Sequence, residues 1–307
     1  MTDLRLGAVF PQVEIGTDFG AIRAYLEGVE ELGFGHVVFF DHVLGADLER
    51  PELDRSGWPP NHYSYLDEFH EPFVLLGFAA AVTTRLGLTT GILVLPQRQT
   101  ALAAKQAAQV QLLSGGRLRL GVGTGWNHLE YEALGVPFGD RGRLLDEQVE
   151  VMRRLWSEPI VDFDGDFHRL SGVGLAPLPP GGNVPVWFGG FAPVAYRRAA
   201  RIGDGFLMSR DAEHPELDGD FERLRRLLEG AGRDPAGFGV EGRVSAAKHD
   251  PDVIARHAER WRALGASHLA IDTMRRTADL DWRSTGKPRS VDEHLKLLER
   301  AKDAATA

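Results

Sequence analysis

The 307 residues include no cysteine. Disulfides, thiolate metal sites and cysteine nucleophiles are therefore excluded. A basic surplus is also missing: 35 Lys and Arg stand against 44 Asp and Glu, a formal net charge of -9. That balance argues against a nucleic-acid-binding protein, which usually carries a net basic face. A local basic pocket for an anionic ligand stays open. No apolar run approaches the roughly 20 residues of a membrane span. The start Met1–Arg5 leads at once into a strand-like stretch, so a cytoplasmic protein without a secretory signal is expected. No G-x-S-x-G marks a serine nucleophile. No His-x-x-x-His or carboxylate cluster marks a metal, and His62 and His70 are unpatterned.

What is present is an ordinary globular composition, 43% hydrophobic and 26% charged. It is enough for a sizeable core in a single domain spanning 1–307. Strand-like and helix-like runs alternate throughout. Strands are read at Leu6–Phe10, His36–Phe40, Leu86–Leu95, Leu118–Val122, Pro185–Gly189, Gly205–Met208, Phe238–Val244 and His268–Ile271. Helices are read at 21–32, 72–83, 100–113, 141–156, 193–202, 215–230, 251–264 and 291–303. Two stretches break the rhythm. Residues 43–70 form a long irregular segment, a length usually kept for function. Residues 160–184 read as an inserted hairpin with Asp164–Gly165 as its turn. Eight strand-helix units are the number that closes a (β/α)8 TIM barrel. The open-sheet alternative would want a glycine loop for phosphate after the first strand. Here that strand ends in Phe10–Pro11–Gln12.

In such a barrel the chemistry sits just past the strand C-termini. Asp41–His42 follows the second strand, and a histidine there can exchange a proton near neutral pH. Its bland counterpart is a loop cap. Gly121–Val122–Gly123–Thr124–Gly125 lacks the G-x-G-x-x-G spacing and precedes Trp126 instead of a helix. Glycines there would let the backbone approach a flat ligand, or simply make a tight turn. Gly189–Gly190–Phe191 opens the helix 193–202, where free N–H groups and the helix dipole favour an anion such as phosphate. With few strong nucleophiles or bases at this face, a cofactor is expected to carry the hard chemistry.

Three stretches, in order, resemble the bacterial-luciferase-like monooxygenase superfamily, most closely its branch of oxidoreductases that use the deazaflavin coenzyme F420. The first runs Leu88–Arg98, Lys105–Gln106 and Leu113–Arg117 to Gly121–Trp126; the second is Gly135–Phe138, Arg141–Gly142 and Leu144; the third is Pro185–Gly190, Arg198–Ala200 and Gly203–Phe206. The resemblance implies a barrel with insertions and a flavin or deazaflavin ring over the third and fourth strands. It implies a non-proline cis peptide at Gly91–Ile92, ring or ribityl contacts from Phe10, Thr124, Gly125 and Trp126, and a phosphate held by Gly189, Gly190 and Phe191. His42, beside Asp41, would be the proton donor or ring contact. Arg98, Lys105, Arg141 and Arg143 would offer the anionic tail of F420 a basic exit.

Departures matter as well. The family's sugar-phosphate dehydrogenases carry a Trp shortly after the Asp-His pair and a Glu after the glycine turn. Here Gly45–Ala46 and Trp126 stand there. With Phe10, Trp58, Tyr63 and Tyr65 they suggest an aromatic pocket for a hydrophobic or conjugated small-molecule substrate. The expectation is F420-dependent hydride transfer. The alternative is an FMN-dependent monooxygenase that uses oxygen. A homodimer without nucleic-acid or membrane partners is expected, as for many family members.

Overall fold

The computed structural model describes residues 4–54, 56, 58, 63–275 and 289–307. The barrel strands are β1 (Arg5–Val9), β2 (His36–Phe39), β3 (Gly87–Thr90) with β4 (Leu93–Val94), β5 (Leu118–Gly123), β8 (Val186–Gly189), β9 (Gly205–Leu207), β10 (Gly239–Ser245) and β11 (His268–Asp272). β3 and β4 are two pieces of one wall position, so eight positions result. The order is β3-β2-β1-β11-β10-β9-β8-β5-β4, every pairing is parallel, and β3 also pairs with β5. The ring is closed, which satisfies both edges of every strand.

Helices α1 (Phe19–Glu31), α2 (Pro72–Val82), α3 (Thr100–Leu113), α4 (His128–Ala133), α5 (Arg141–Ser157), α6 (Pro193–Ile202), α7 (Leu217–Gly230), α8 (Pro251–Leu264) and α9 (Val291–Thr306) surround it. Local chemistry explains several ends. α2, α6 and α8 begin with proline at the first turn, where no N–H is required. α8 stops at Gly265, whose φ of 91° a side chain would resist. The inserted hairpin is antiparallel, β6 (Val161–Asp164) with β7 (Arg169–Val173). Its turn differs from the expected Asp-Gly pair. Asp164 still pairs with Arg169, and Gly165 N donates to His168 O across a four-residue loop. The longer loop forms because Glu147 on α5 accepts the amides of Asp166, Phe167 and His168 at 2.7–2.8 Å.

The third strand is interrupted by a cis peptide at Gly91–Ile92, as the resemblance implied. Thr89 pairs with Arg119 but Leu93 pairs with Val122, so this strand carries one extra residue. That is a bulge at the barrel rim, where such features re-aim a side chain.

The apolar core lies between strands and helices, with Leu6, Ala8 and Phe10 of the first strand on that side. The lower lumen is polar. Glu241 accepts from Arg119 and lies 2.9 Å from His36 Nε2. Arg119 stacks on Trp187 at 4.2 Å, and His268 packs against Trp187 and His36 at 5.1 and 5.4 Å. A Cβ on Gly7 would stand 2.1 Å from His36, and one on Gly205 or Gly239 would stand 2.2 Å from Trp187. Glycine on three strands is what lets these large side chains cross the lumen. Burial raises the Glu241 carboxyl, but the Arg119 cation, helped by the hydrogen bond with His36, outweighs it and holds the group far below the usual range.

Burial pushes His36 down, His268 down to about 3 and His294 on α9 down to about 4. All three are neutral in the folded chain at neutral pH, whereas in the unfolded chain they take up protons near pH 6.5. The unfolded state then binds more protons, and stability falls as pH drops below about 6.5. We expect the denaturation midpoint to decline steadily from pH 7 to pH 5, by up to about 1.4 kcal/mol per histidine per pH unit once well below 6.5. A midpoint independent of pH in this window contradicts the burial of these rings as neutral groups.

Candidate active site

The strand order places the sequence-expected residues on neighbouring wall positions. β2 carries Asp41–His42 at its end, β3–β4 the cis peptide, β5 leads to Thr124, Gly125 and Trp126, and β8 leads to Gly189–Gly190. These positions are adjacent in the barrel through the β2–β3, β3–β5, β4–β5 and β5–β8 pairings.

Asp41 is 3% exposed. One carboxylate oxygen accepts Val94 N at 2.8 Å and the other accepts Arg98 Nη2 at 2.8 Å. Arg98 also reaches Glu71 at 2.9 Å, and Glu71 caps α2 through Val74 N. Burial raises the Asp41 carboxyl above its ordinary range, against the opposing pull of Arg98. Both oxygens are thus taken by structural partners. The geometry makes Asp41 a positioning residue that ties the end of β2 to β4 and α2, in place of the catalytic part expected for it.

His42 is different. Tyr63 lies 3.9 Å from its ring at a tilt of 37°, Phe69 meets it edge-on at 5.0 Å, and Trp126 at 5.8 Å. Its Nδ1 is 3.4 Å from Glu130 Oε2. A carboxylate only accepts, so Nδ1 carries the hydrogen and Nε2 is the nitrogen left for exchange with a ligand.

Glu130 was not foreseen. It is 1% exposed and accepts Val43 N at 2.6 Å, Leu44 N at 3.1 Å and Gln97 Nε2 at 3.1 Å. Burial raises its carboxyl, but His42, the Leu44 amide and Gln97 more than offset this and leave it below the ordinary carboxylate range. It therefore stays ionised and gathers the chain immediately after His42. Glu130 sits on α4, a short helix in the stretch read as loop. The signal for it was there: Asn127 caps the helix through Leu129 N, and Glu130 stands three residues later, the ordinary helix-start pattern. Asn127 Nδ2 also donates to Tyr63 Oη at 2.7 Å, and Tyr63 Oη donates to Leu44 O at 3.1 Å. The part of 43–70 that holds residues 55, 57 and 59–62, including His62, lies outside the described residues.

The glycines have a packing role beside the one expected. A Cβ on Gly123 would stand 3.0 Å from the Ile92 side chain, and one on Gly189 would stand 2.7 Å from Ile92 Cγ2. Gly125, with φ of 61°, would put a Cβ 2.7 Å from Val94. These glycines make room for the bulged strand itself, so the protein's own packing requires them whatever binds above. Ile92 spreads over the ends of β5 and β8 and is half-buried at the mouth. Phe10 is corrected as well. It is fully buried on the helix side, against Tyr25 and Phe39 at 5.6 and 5.2 Å, and it does not face the mouth. Phe191 is 64% exposed beside Gly190, whose φ is 148°.

Of the four expected cations, Arg98 is engaged as above, Lys105 donates to Ala176 O, and Arg143 pairs with Asp140 at 2.6 Å. These three do not form a free basic exit. Arg141 donates to Phe138 O and stacks on that ring at 3.7 Å. It borders a cavity of about 370 Å³ lined also by Asp54, Ser56, Gly125, Trp126 and His128, and its buried Nε has no partner among the described residues.

Several features fit a planar cofactor with a phosphate. Ile92 offers an apolar surface at the bulge, and Gln97 Oε1 is buried without a partner among the described residues. α6 begins at Pro193 with no side-chain cap among the described residues; Ala195 N donates to Ala192 O, which leaves the Val194 N–H and the positive end of the helix for an anion.

A closed parallel barrel with its polar side chains gathered at the strand C-termini defines a (β/α)8 enzyme scaffold. The chain belongs to the luciferase-like monooxygenase family, whose model matches residues 6–305. A protein of Mycobacterium tuberculosis of uncharacterised activity is 35% identical over 229 residues, 73% of this chain and 77% of that one. An F420-dependent glucose-6-phosphate dehydrogenase of Mycolicibacterium fortuitum is 33% identical over 245 residues, 76% of this chain and 67% of the relative. Among solved structures, an F420-dependent secondary alcohol dehydrogenase in complex with an F420-acetone adduct superposes with a TM-score of 0.76 at 17% identity, covering 98% of this chain and 99% of that one. At that identity the structural likeness speaks for the fold. Among the described residues no helix is long and apolar enough to cross a membrane.

Glu130→Ala removes the acceptor for two backbone amides and Gln97. We expect a loss of about 1–3 kcal/mol from the unsatisfied groups. In hydrogen-exchange mass spectrometry the Val43 and Leu44 amides should exchange at least about tenfold faster, the counterpart of 1.4 kcal/mol of local stability. Unchanged exchange at 43–44 contradicts the clamp.

Proposed function

We propose that this chain is an F420-dependent oxidoreductase that transfers a hydride between the deazaflavin and an organic substrate with a hydrophobic or aromatic body. The observation that carries this reading is the setting of His42. Its ring is boxed by Tyr63, Phe69 and Trp126, held from behind by Glu130, and stands at the end of the strand next to the cis bulge. Similarity to F420-dependent relatives points the same way.

Gly91 and Ile92 would support the ring, Thr124, Gly125 and Trp126 would flank it, and Gly189, Gly190 and Phe191 would hold the phosphate. When bound, the deazaflavin supplies a two-electron carrier that exchanges a hydride. The chain's own part is to exclude water with the aromatic box and to exchange a proton at His42 Nε2. Tyr131 Oη donates to Thr124 O at 2.5 Å and keeps that turn in place.

The departures at Gly45–Ala46 and Trp126 argue against a sugar phosphate as substrate. Where the sugar-phosphate dehydrogenases of the resemblance carry Trp, Ala46 is buried and bridges to Ser64, and a Cβ on Gly45 would stand 2.1 Å from Ser64 O. A large ring has no space there. We also propose a cytoplasmic homodimer, supported by Phe19, Val74 and Leu102, which are 73%, 74% and 53% exposed on the neighbouring helices α1, α2 and α3.

Side-by-side fluorescence titration with F420 and FMN tests the reading. We expect saturable F420 binding and at least about tenfold weaker FMN binding, a difference of about 1.4 kcal/mol. Tight FMN binding without F420 affinity, with oxygen consumed alongside reduced FMN, selects an FMN-dependent monooxygenase instead. For His42→Ala we expect F420 binding to be retained and the thermal midpoint to fall only by the few degrees that one lost Glu130 partner costs, while turnover falls by roughly 10²–10⁴. Unchanged turnover removes His42 from the chemistry.

A further inference from the structure

The wall opposite His42 carries a second polar group. Arg243, near the C-terminal end of β10, pairs across to Ala270 on β11, and its side chain enters the lumen. Its guanidinium carbon lies 4.7 Å from the Phe40 ring, the residue just before Asp41–His42. β10 and β2 are separated by β11 and β1, so Arg243 reaches over the barrel mouth. Nη2 donates to Asp272, whose carboxylate is 1% exposed and also accepts Met274 N at 2.8 Å.

That leaves half of the guanidinium unused. Nε and Nη1 have no hydrogen-bond partner among the described residues, and the side chain is 38% exposed. Two residues further along β10, Ser245 Oγ is buried and also unpartnered among the described residues. Around them the mouth is apolar: Val9, Val13, Val38, Ala270 and Met274 form a separate small cluster with Phe40 and Phe69 packed on it. An arginine whose Nε and Nη1 edge is open to solvent beside an apolar cluster is a ready receptor for an acceptor oxygen, which takes the place of water there. Its planar donor edge also fixes the direction from which that oxygen arrives.

We infer that Arg243 is a substrate-binding residue that receives an acceptor oxygen on an otherwise apolar substrate, with Ser245 Oγ as a second polar contact. The substrate body lies against Phe40 and Phe69, the partly exposed rings that cover the buried Val9–Val38–Met274 cluster. One end is held by Arg243 and the other faces His42. Asp272 orients the guanidinium and is a positioning residue. This reading rests on the barrel mouth being the substrate site proposed above. It adds that the substrate carries an oxygen, carbonyl or carboxylate, at the end remote from His42.

Three probes of one shape test it: cyclohexanone, cyclohexanecarboxylate and methylcyclohexane, titrated by ligand-observed NMR into the full chain with and without F420. The wild type should bind at least one oxygenated probe at least about tenfold more tightly than methylcyclohexane. Arg243→Met should abolish that preference and leave methylcyclohexane binding and F420 affinity unchanged, and Arg243→Lys should restore part of it. The stronger of the two oxygenated probes tells a neutral carbonyl from a carboxylate. Should Arg243→Met fail to fold, Arg243→Gln makes the same comparison while keeping a hydrogen-bond donor next to Asp272. Equal binding of all three probes by the wild type, or an unchanged preference in the variants, overturns the assignment. Loss of F420 binding in the wild type, with the probe preference intact, would overturn the proposed cofactor and leave Arg243 in place.

Discussion

One buried carboxylate organises the mouth of this barrel. Glu130 accepts the amides of Val43 and Leu44, the side chain of Gln97 and the Nδ1 side of His42. Removed from water, it would be costly without partners, since an uncompensated buried charge is among the most destabilising features a core can hold. Four partners make it stable, and in return they fix where the chain turns after β2. The orientation of His42, the packing of Tyr63 over it and the approach of Trp126 all follow from that turn. Asp41 completes the anchoring from the other side by fastening the end of β2 to β4 and α2.

The bulge in the third strand works on the same scale. One extra residue and a cis peptide move Ile92 to the rim, and glycine at 123 and 189 leaves the volume it occupies. The two halves of the mouth then differ in character. The β2–β3–β5–β8 side offers a flat apolar surface, an ionised clamp and an uncapped helix start. The β1–β11–β10 side offers a small buried apolar cluster, covered by Phe40 and Phe69, with an arginine reaching across it. A cofactor and a substrate placed on opposite halves would face one another with His42 at their edge.

Most of the barrel was legible in the sequence because its signals are local. Apolar runs bounded by Pro or Gly mark the strands, and three helices, 100–113, 193–202 and 251–264, have the boundaries read for them. The third strand was read as one run from Leu86 to Leu95, since nothing in its composition marks a break. Only the resemblance pointed to Gly91–Ile92. What was not legible depends on tertiary neighbours. Asp41 and His42 are adjacent in sequence, yet one is locked by Arg98 and Val94 while the other keeps a free nitrogen. Phe10 follows a strand just as His42 does, but alternation turns its ring to the helices. Glu130 lay in a stretch read as loop, although Asn127 three residues earlier was a usable sign. The long loop turn at Gly165–His168 is set by Glu147 on another element, which no turn propensity encodes.

The most direct measurement is a crystal structure of this chain grown with F420. The account predicts a deazaflavin ring resting on Ile92 with His42 at its edge, and the phosphate against Gly189–Gly190 at the start of α6. A ring lodged instead in the cavity between Trp126 and Arg141, or a mouth left empty at saturating F420, would contradict it.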